Sequence, residues 1–249
     1  MYRIGRGPDE PFALPDWDRA EPDGTFGNRF DDPGGLLGIP TESRFRVIYC
    51  ATQREAAFAE IAARFRQRPE LHSVLARIED DEETVEGALG GAVDPDFSDH
   101  SLLESDWLRR RRIGHTRIVS HGDFVDISHA DSLAHLNDVL APLLAWLEIE
   151  QLDLSMITSP ALRLLTQYAA RYVYNSGFAG IRYASRLGAN WECWALFEGR
   201  FHHDMGYPGF PENIDPDDDD LLSVARRFGL TIEVLPGMHH YLRPWQDHG

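Results

Sequence analysis

Short β-prone runs set at irregular intervals constrain this chain more than any other feature. They fall at residues 2–4, 25–30, 45–51, 116–119, 124–127, 152–157, 181–184, 194–197 and 231–235, most of them bounded by Gly, Pro, Asp or Asn. Helical periodicity fills only some of the gaps. One helix is expected from Gln53 to about Arg68, capped by Thr52 and stopped by Pro69, with Ala57, Phe58, Ile61, Ala62 and Phe65 on one face. Others are expected over 132–147, from the cap-and-proline pair Ser159 and Pro160 to about Asn175, and over 221–228 behind the acidic run 215–220. Strands and helices do not alternate as a βαβ series requires, so the pattern predicts a mixed α+β fold.

With 43% hydrophobic residues in 249, the chain has enough apolar matter for one substantial core. The reading is a single domain over 1–249: a core at 2–200, an excursion around 87–152, and a C-terminal extension at 201–249. The excursion follows from the charge run 79–83 and the Gly, Asp and Pro loop at 87–99.

Asp and Glu number 41 against 24 Lys and Arg, giving a formal charge of -17 that repels nucleic acid and anionic membranes. The one obvious basic cluster, 109–112, reads as a solvated helix or strand end, with phosphate binding as the less favoured alternative. Cys50 and Cys193 provide neither a disulfide framework nor a close-spaced thiolate pair for zinc. The first residues hold no apolar signal core and no apolar run reaches membrane-spanning length, so the expected compartment is the cytoplasm. Adjacent histidines at 202–203 and 239–240 point to opposite faces of an extended strand, and no metal is expected. Walker, GxSxG, HExxH and GxGxxG signatures are all absent.

What remains is an ordered constellation. Arg3 lies on the first run, then come Gly27-Asn28-Arg29-Phe30-Asp31-Asp32-Pro33, Tyr49 on a strand, Glu60 on the following helix, and Ser185 after the run 181–184. Each has an ordinary explanation: Arg29 as a loop ion pair with Asp31 and Asp32, Tyr49 as core, Ser185 as a turn residue. Glu60 lies among Ala57, Phe58, Ile61 and Ala62, where an unpaired carboxylate is costly.

The three blocks, Gly-Asn-Arg-Phe-Asp-Asp-Pro, Val-Ile-Tyr-Cys-Ala with Ala-Ala-Phe-Ala-Glu, and Gly-Ile-Arg-Tyr-Ala-Ser-Arg, resemble the RES-domain family in identity and order, from Tyr2 to about Phe197. That family is named for an arginine, a glutamate and a serine. The resemblance implies a fold similar to ADP-ribosyltransferase toxins, small sheets with flanking helices and NAD in a cleft between them. It also implies a bacterial toxin, usually paired with a helix-turn-helix antitoxin, that consumes NAD at the nicotinamide-ribose bond by hydrolysis or phosphorolysis, as a glycohydrolase or phosphorylase. Two departures stand out: the stretch from about 87 to 152 is longer than in compact toxins, and the tail after Gly199 lacks the family's ending.

Carried onto this chain, the resemblance makes Glu60, Arg29 and Tyr49 catalytic candidates, and Arg3, Arg29, Tyr49 and Ser185 substrate-binding candidates. Guanidinium forks suit a diphosphate, a phenol ring suits stacking, and a carboxylate suits the positive charge built on ribose when an N-glycosidic bond breaks. Ser185 would hold substrate or acceptor by a hydrogen bond; no His and Asp partners make it a nucleophile. NAD is then a substrate and no cofactor is needed. An antitoxin protein and a second copy of the chain stay open as partners. Two rival readings stand beside this one: an ADP-ribosyltransferase acting on a protein, and a catalytically silent RES-like binding module.

Overall fold

The computed structural model describes residues 1–7, 10–66, 101–188, 190–203 and 211–234. Expectations for the helix end at 67–69, the charge run 79–83, the loop 87–99 and the pair 239–240 lie outside them. The fold is α+β. Its main sheet has seven strands in the order β10-β4-β1-β2-β8-β7-β6: β1 (Tyr2–Arg6), β2 (Val47–Ala51), β4 (Arg111–His115), β6 (Phe124–Asp126), β7 (Gly180–Ala184), β8 (Glu192–Phe197) and β10 (Glu212–Asn213). All neighbours are antiparallel except β6 and β7. Two ribbons complete the strands, β3 (Leu102–Leu103) with β11 (Thr231–Ile232) and β5 (Ile118–Ser120) with β9 (Phe201–His203).

β2 is central because its sequence is apolar on both faces. Val47 and Ala51 pack into the larger core with Ala195 and Phe197 of β8, while Ile48, Cys50 and Leu196 meet Phe12 on the other side. Over the first face lie α1 (Arg54–Ala62) and α6 (Arg163–Asn175), which bury Phe58, Ala59, Leu165 and Ala169. Removing these side chains from water is the main force holding helices to sheet.

One seam differs from the rest. β2 and β8 are paired over five residues, whereas β1 and β2 are paired only at Tyr2 and Ala51. The sheet is therefore nearly divided into a three-strand half, β10-β4-β1, and a four-strand half, β2-β8-β7-β6.

Several expectations are corrected. The run 25–30 is not a strand but a turn-rich loop, because Gly24 and Gly27 take positive φ of 80° and 76°. The run 152–157 forms a short helix, α5 (Leu154–Thr158), since Asp153 accepts the Met156 N–H at 2.9 Å and caps it. The helix expected at 132–147 is two, α3 (Ala130–Val139) and α4 (Ala141–Trp146), divided at Leu140 with Pro142 in the first turn of the second. α1 ends at Ala62 and continues as a 3-10 turn (Ala63–Phe65), and Gln53 instead of Thr52 occupies its N-cap. Residues 101–152 supply β4 and β6 to the main sheet together with α2 (Ser105–Arg109), so that part of the expected excursion belongs to the core.

The acidic run does start a helix. Asp218 caps α7 (Asp219–Phe228), accepting the N–H groups of Asp220 and Leu221, and Gly229 closes it at φ 68°. α7 packs on α1: Arg54 donates to Asp218 at 2.7 Å, and Ser223 donates to Glu55 at 2.7 Å.

Candidate functional site

The loop before β2 is built around two buried carboxylates. Asp31 Oδ2 accepts the N–H groups of Phe26 at 2.9 Å and Asn28 at 2.8 Å, folding the chain back on itself. Tyr49 on β2 bridges the same turn, its hydroxyl accepting from Phe30 N at 3.0 Å and donating to Asp31 Oδ1 at 3.1 Å. Burial, reinforced by the Asp31 charge, pushes the Tyr49 hydroxyl well above its ordinary pKa and so keeps its proton available for that bond. Burial also raises the Asp31 pKa from its ordinary value, against the pull of the Asn28 and Phe26 hydrogen bonds. Gly27 suits this turn because its backbone stands at φ 76°, a conformation that other residues rarely adopt.

Asp32 holds the other end of the loop. It accepts from Gly34 N at 2.9 Å, Phe45 N at 3.0 Å and Arg171 Nη1 at 2.7 Å. The expected alternative of an ion pair between Arg29 and these aspartates is therefore corrected, because both carboxylates are engaged elsewhere. Arg29 instead donates Nη1 to Thr158 O at 3.0 Å and lies 4.9 Å from the centroid of the Tyr183 ring.

Glu60 is exposed, on the open side of α1, while Ala56 to Ala59 before it are buried. The costly apolar setting expected for it is thus replaced by one open to the hollow. Ser185, just past β7 and 5% exposed, donates Oγ to Glu60 Oε1 at 2.6 Å and accepts from Leu187 N at 3.1 Å. Among the described residues Glu60 Oε2 has no hydrogen-bond partner, which leaves it available to a ligand.

Arg3 sits at the seam of the sheet. Strand alternation puts it on the face of Cys50, opposite Tyr49, yet all three line one hollow because β1 and β2 part beyond their single pair. Its Nη1 is buried without a partner among the described residues, and desolvation lowers its pKa. Such a donor is costly unless something fills it.

The hollow measures about 460 Å³, inside the roughly 300–1,000 Å³ range of small-molecule sites. Arg3, Arg29, Tyr49 and Glu60 all line it, and Ser185 stands behind Glu60. Among the described residues, four arginines line it, Arg3, Arg29, Arg163 and Arg186, with one lining carboxylate, Glu60. An anionic ligand suits that balance. Cys50 and Cys193 also reach the hollow, but burial raises both thiols, Cys50 to about 12, so neither offers a thiolate. Among the described residues no group of three His, Cys, Asp or Glu is placed to hold a metal ion.

Sequence reasoning missed Gln167, Arg171, Arg163 and Arg186. Gln167 donates to Asn28 O at 3.0 Å, and with Arg171 one turn later it ties α6 to the loop that carries Arg29. The signal was present in part: Thr166 and Gln167 are polar between the buried Leu165 and Ala169, a phase where polar groups need a task. Arg163 and Arg186 lie outside the three blocks or at their edge, and spacing alone does not aim them inward.

Fold and hollow together describe an α+β protein with an arginine-lined hollow of small-molecule size. Residues 1–209 match the model of the RES domain, and the chain belongs to that family. All five candidate residues fall within the matched span. No curated protein and no solved structure matches the chain. No helix among the described residues is long and apolar enough to cross a membrane.

Proposed function

We propose that the protein cleaves NAD at the nicotinamide-ribose bond. The observation carrying this reading is the pairing, in one hollow, of arginine forks with a single carboxylate held by Ser185. Family membership supports NAD as the substrate, since the RES resemblance implies it. Arg3 and Arg29 grip the diphosphate, with Arg163 and Arg186 adding positive charge at the lining. The C–N bond breaks with its electron pair leaving on neutral nicotinamide, and Glu60 stabilises the positive charge left on the ribose. Water or inorganic phosphate then bonds to the ribose carbon and gives up a proton. Tyr49 fixes the loop bearing Arg29 and presents its ring to the hollow; Ser185 orients Glu60 instead of touching substrate. A growth-restraining role countered by an antitoxin protein follows from the same family reading.

The test is Glu60→Gln, which keeps shape and removes charge. NAD loss should fall by roughly a hundredfold or more, with the circular dichroism spectrum unchanged. Undiminished turnover would remove Glu60 from the mechanism. Labelled NAD identifies the acceptor: free ADP-ribose or its phosphorylated counterpart supports small-molecule chemistry, and label on protein supports transfer instead.

A further inference from the structure

The basic run 109–112 takes no part in the hollow, yet its register on β1 sets two arginines face to face. Arg6 and Arg111 are direct partners in the antiparallel pairing of β1 with β4, so both side chains leave the same face of the sheet. Like charges directly opposite one another destabilise a strand pair. Arg111 is 9% exposed, its Cζ lies 3.7 Å from the centroid of the Trp107 ring, and its Nη1 donates to Trp107 O at 2.9 Å. Arg64 stands over the same ring at 5.3 Å. Arg110 follows with 78% of its side chain exposed.

Among the described residues neither Arg6 nor Arg111 has a carboxylate partner. Asp106 pairs with Arg109 and reaches Arg110 only at 3.7 Å, while the charge of Glu212 acts on His115. Burial, followed by the charges of Arg64, Arg6 and Arg110, lowers the Arg111 pKa to about 10. The Trp107 indole N–H, also buried, has no acceptor among the described residues. In a chain of formal charge -17, Arg111 feels the charges of Arg6, Arg64 and Arg110 together, a local positive centre beside the Trp107 ring.

We infer that this cluster is a second anion site, separate from the hollow, in which Arg6, Arg110 and Arg111 hold a phosphate-class oxyanion, free or as the phosphoryl group of a small metabolite. A compact dianion matches guanidinium forks and relieves the repulsion between Arg6 and Arg111. An extended polyanion is disfavoured, because the rest of the protein repels it. None of these residues lines the hollow, so this assignment does not depend on NAD chemistry.

The experiment follows the six tryptophan indole N–H signals of the full chain by NMR while inorganic phosphate is added. The Trp107 signal is the one lost in Trp107→Phe. It should move with phosphate, with affinity reduced roughly tenfold in Arg6→Gln and in Arg110→Gln, and unchanged in Arg29→Gln. Tighter binding of ribose 5-phosphate than of phosphate assigns the site to a phosphorylated metabolite; equal binding assigns it to the free ion. No movement at phosphate well above millimolar, or equal affinity in Arg6→Gln, overturns the site. Movement with a short oligonucleotide but not with either phosphate probe overturns the small-ligand assignment.

Discussion

Ser185 Oγ and Glu60 Oε1 lie 2.6 Å apart although 125 positions separate the residues in sequence. The hydroxyl donates to the carboxylate, so one oxygen of Glu60 is fixed while the other has no hydrogen-bond partner among the described residues. Ser185→Ala should lower kcat for NAD loss by roughly ten- to a hundredfold with little change in KM, as misplacement of a charged group does. Steady-state kinetics decide it. A raised KM at constant kcat would mean that Ser185 touches substrate directly.

Tyr49→Phe removes the hydroxyl that joins Phe30 N to Asp31 Oδ1. The ring stays, but a buried carboxylate and a backbone N–H each lose a partner. Stability should drop by about 1–3 kcal/mol in urea unfolding. KM for NAD should rise more than kcat falls, since the Arg29 loop loosens while Glu60 keeps its place. Equal stability would mean that the loop does not rely on this bridge.

Arg46 and Glu198 make a two-pronged pair, with Nε donating to Oε2 at 2.9 Å and Nη2 to Oε1. The Arg46 hydrogen bonds hold Glu198 below its ordinary pKa of 4.5. A carboxylate with a depressed folded pKa stabilises the protein above its unfolded pKa, and that contribution fades as pH falls through the folded value. Glu198→Gln should therefore be less stable than wild type at pH 7, by about 1 kcal/mol for a partly exposed pair. The gap should close as acid takes the pH below the ordinary glutamate range. Thermal unfolding from pH 7 downward measures this, and a gap that widens in acid would reverse the assignment.

The α+β class was legible because apolar runs of strand length were spaced too irregularly for a parallel series, and the blocks carrying Arg29, Tyr49, Glu60 and Ser185 were legible through their order. Tertiary context hid the rest. The run 152–157 has strand-like apolar content, but Asp153 caps it as a helix once Leu152 and Ile157 are buried. Glu60 looks core-bound on a helical wheel, and only the seam beside β1 shows why that side of α1 remains open. The functions of Asp31 and Asp32 depend on Tyr49, Phe45 and Arg171, and no local pattern joins those residues.

The lone backbone pairing of Tyr2 with Ala51 has a mechanical result. A wall stitched along its length leaves no opening, whereas one fastened at a single point leaves a gap beside the fastening. The aperture is therefore governed by what is wedged across it, the Asp31-braced loop on one flank and α1 on the other, so substitutions there can alter the girth of molecule admitted without unzipping a strand.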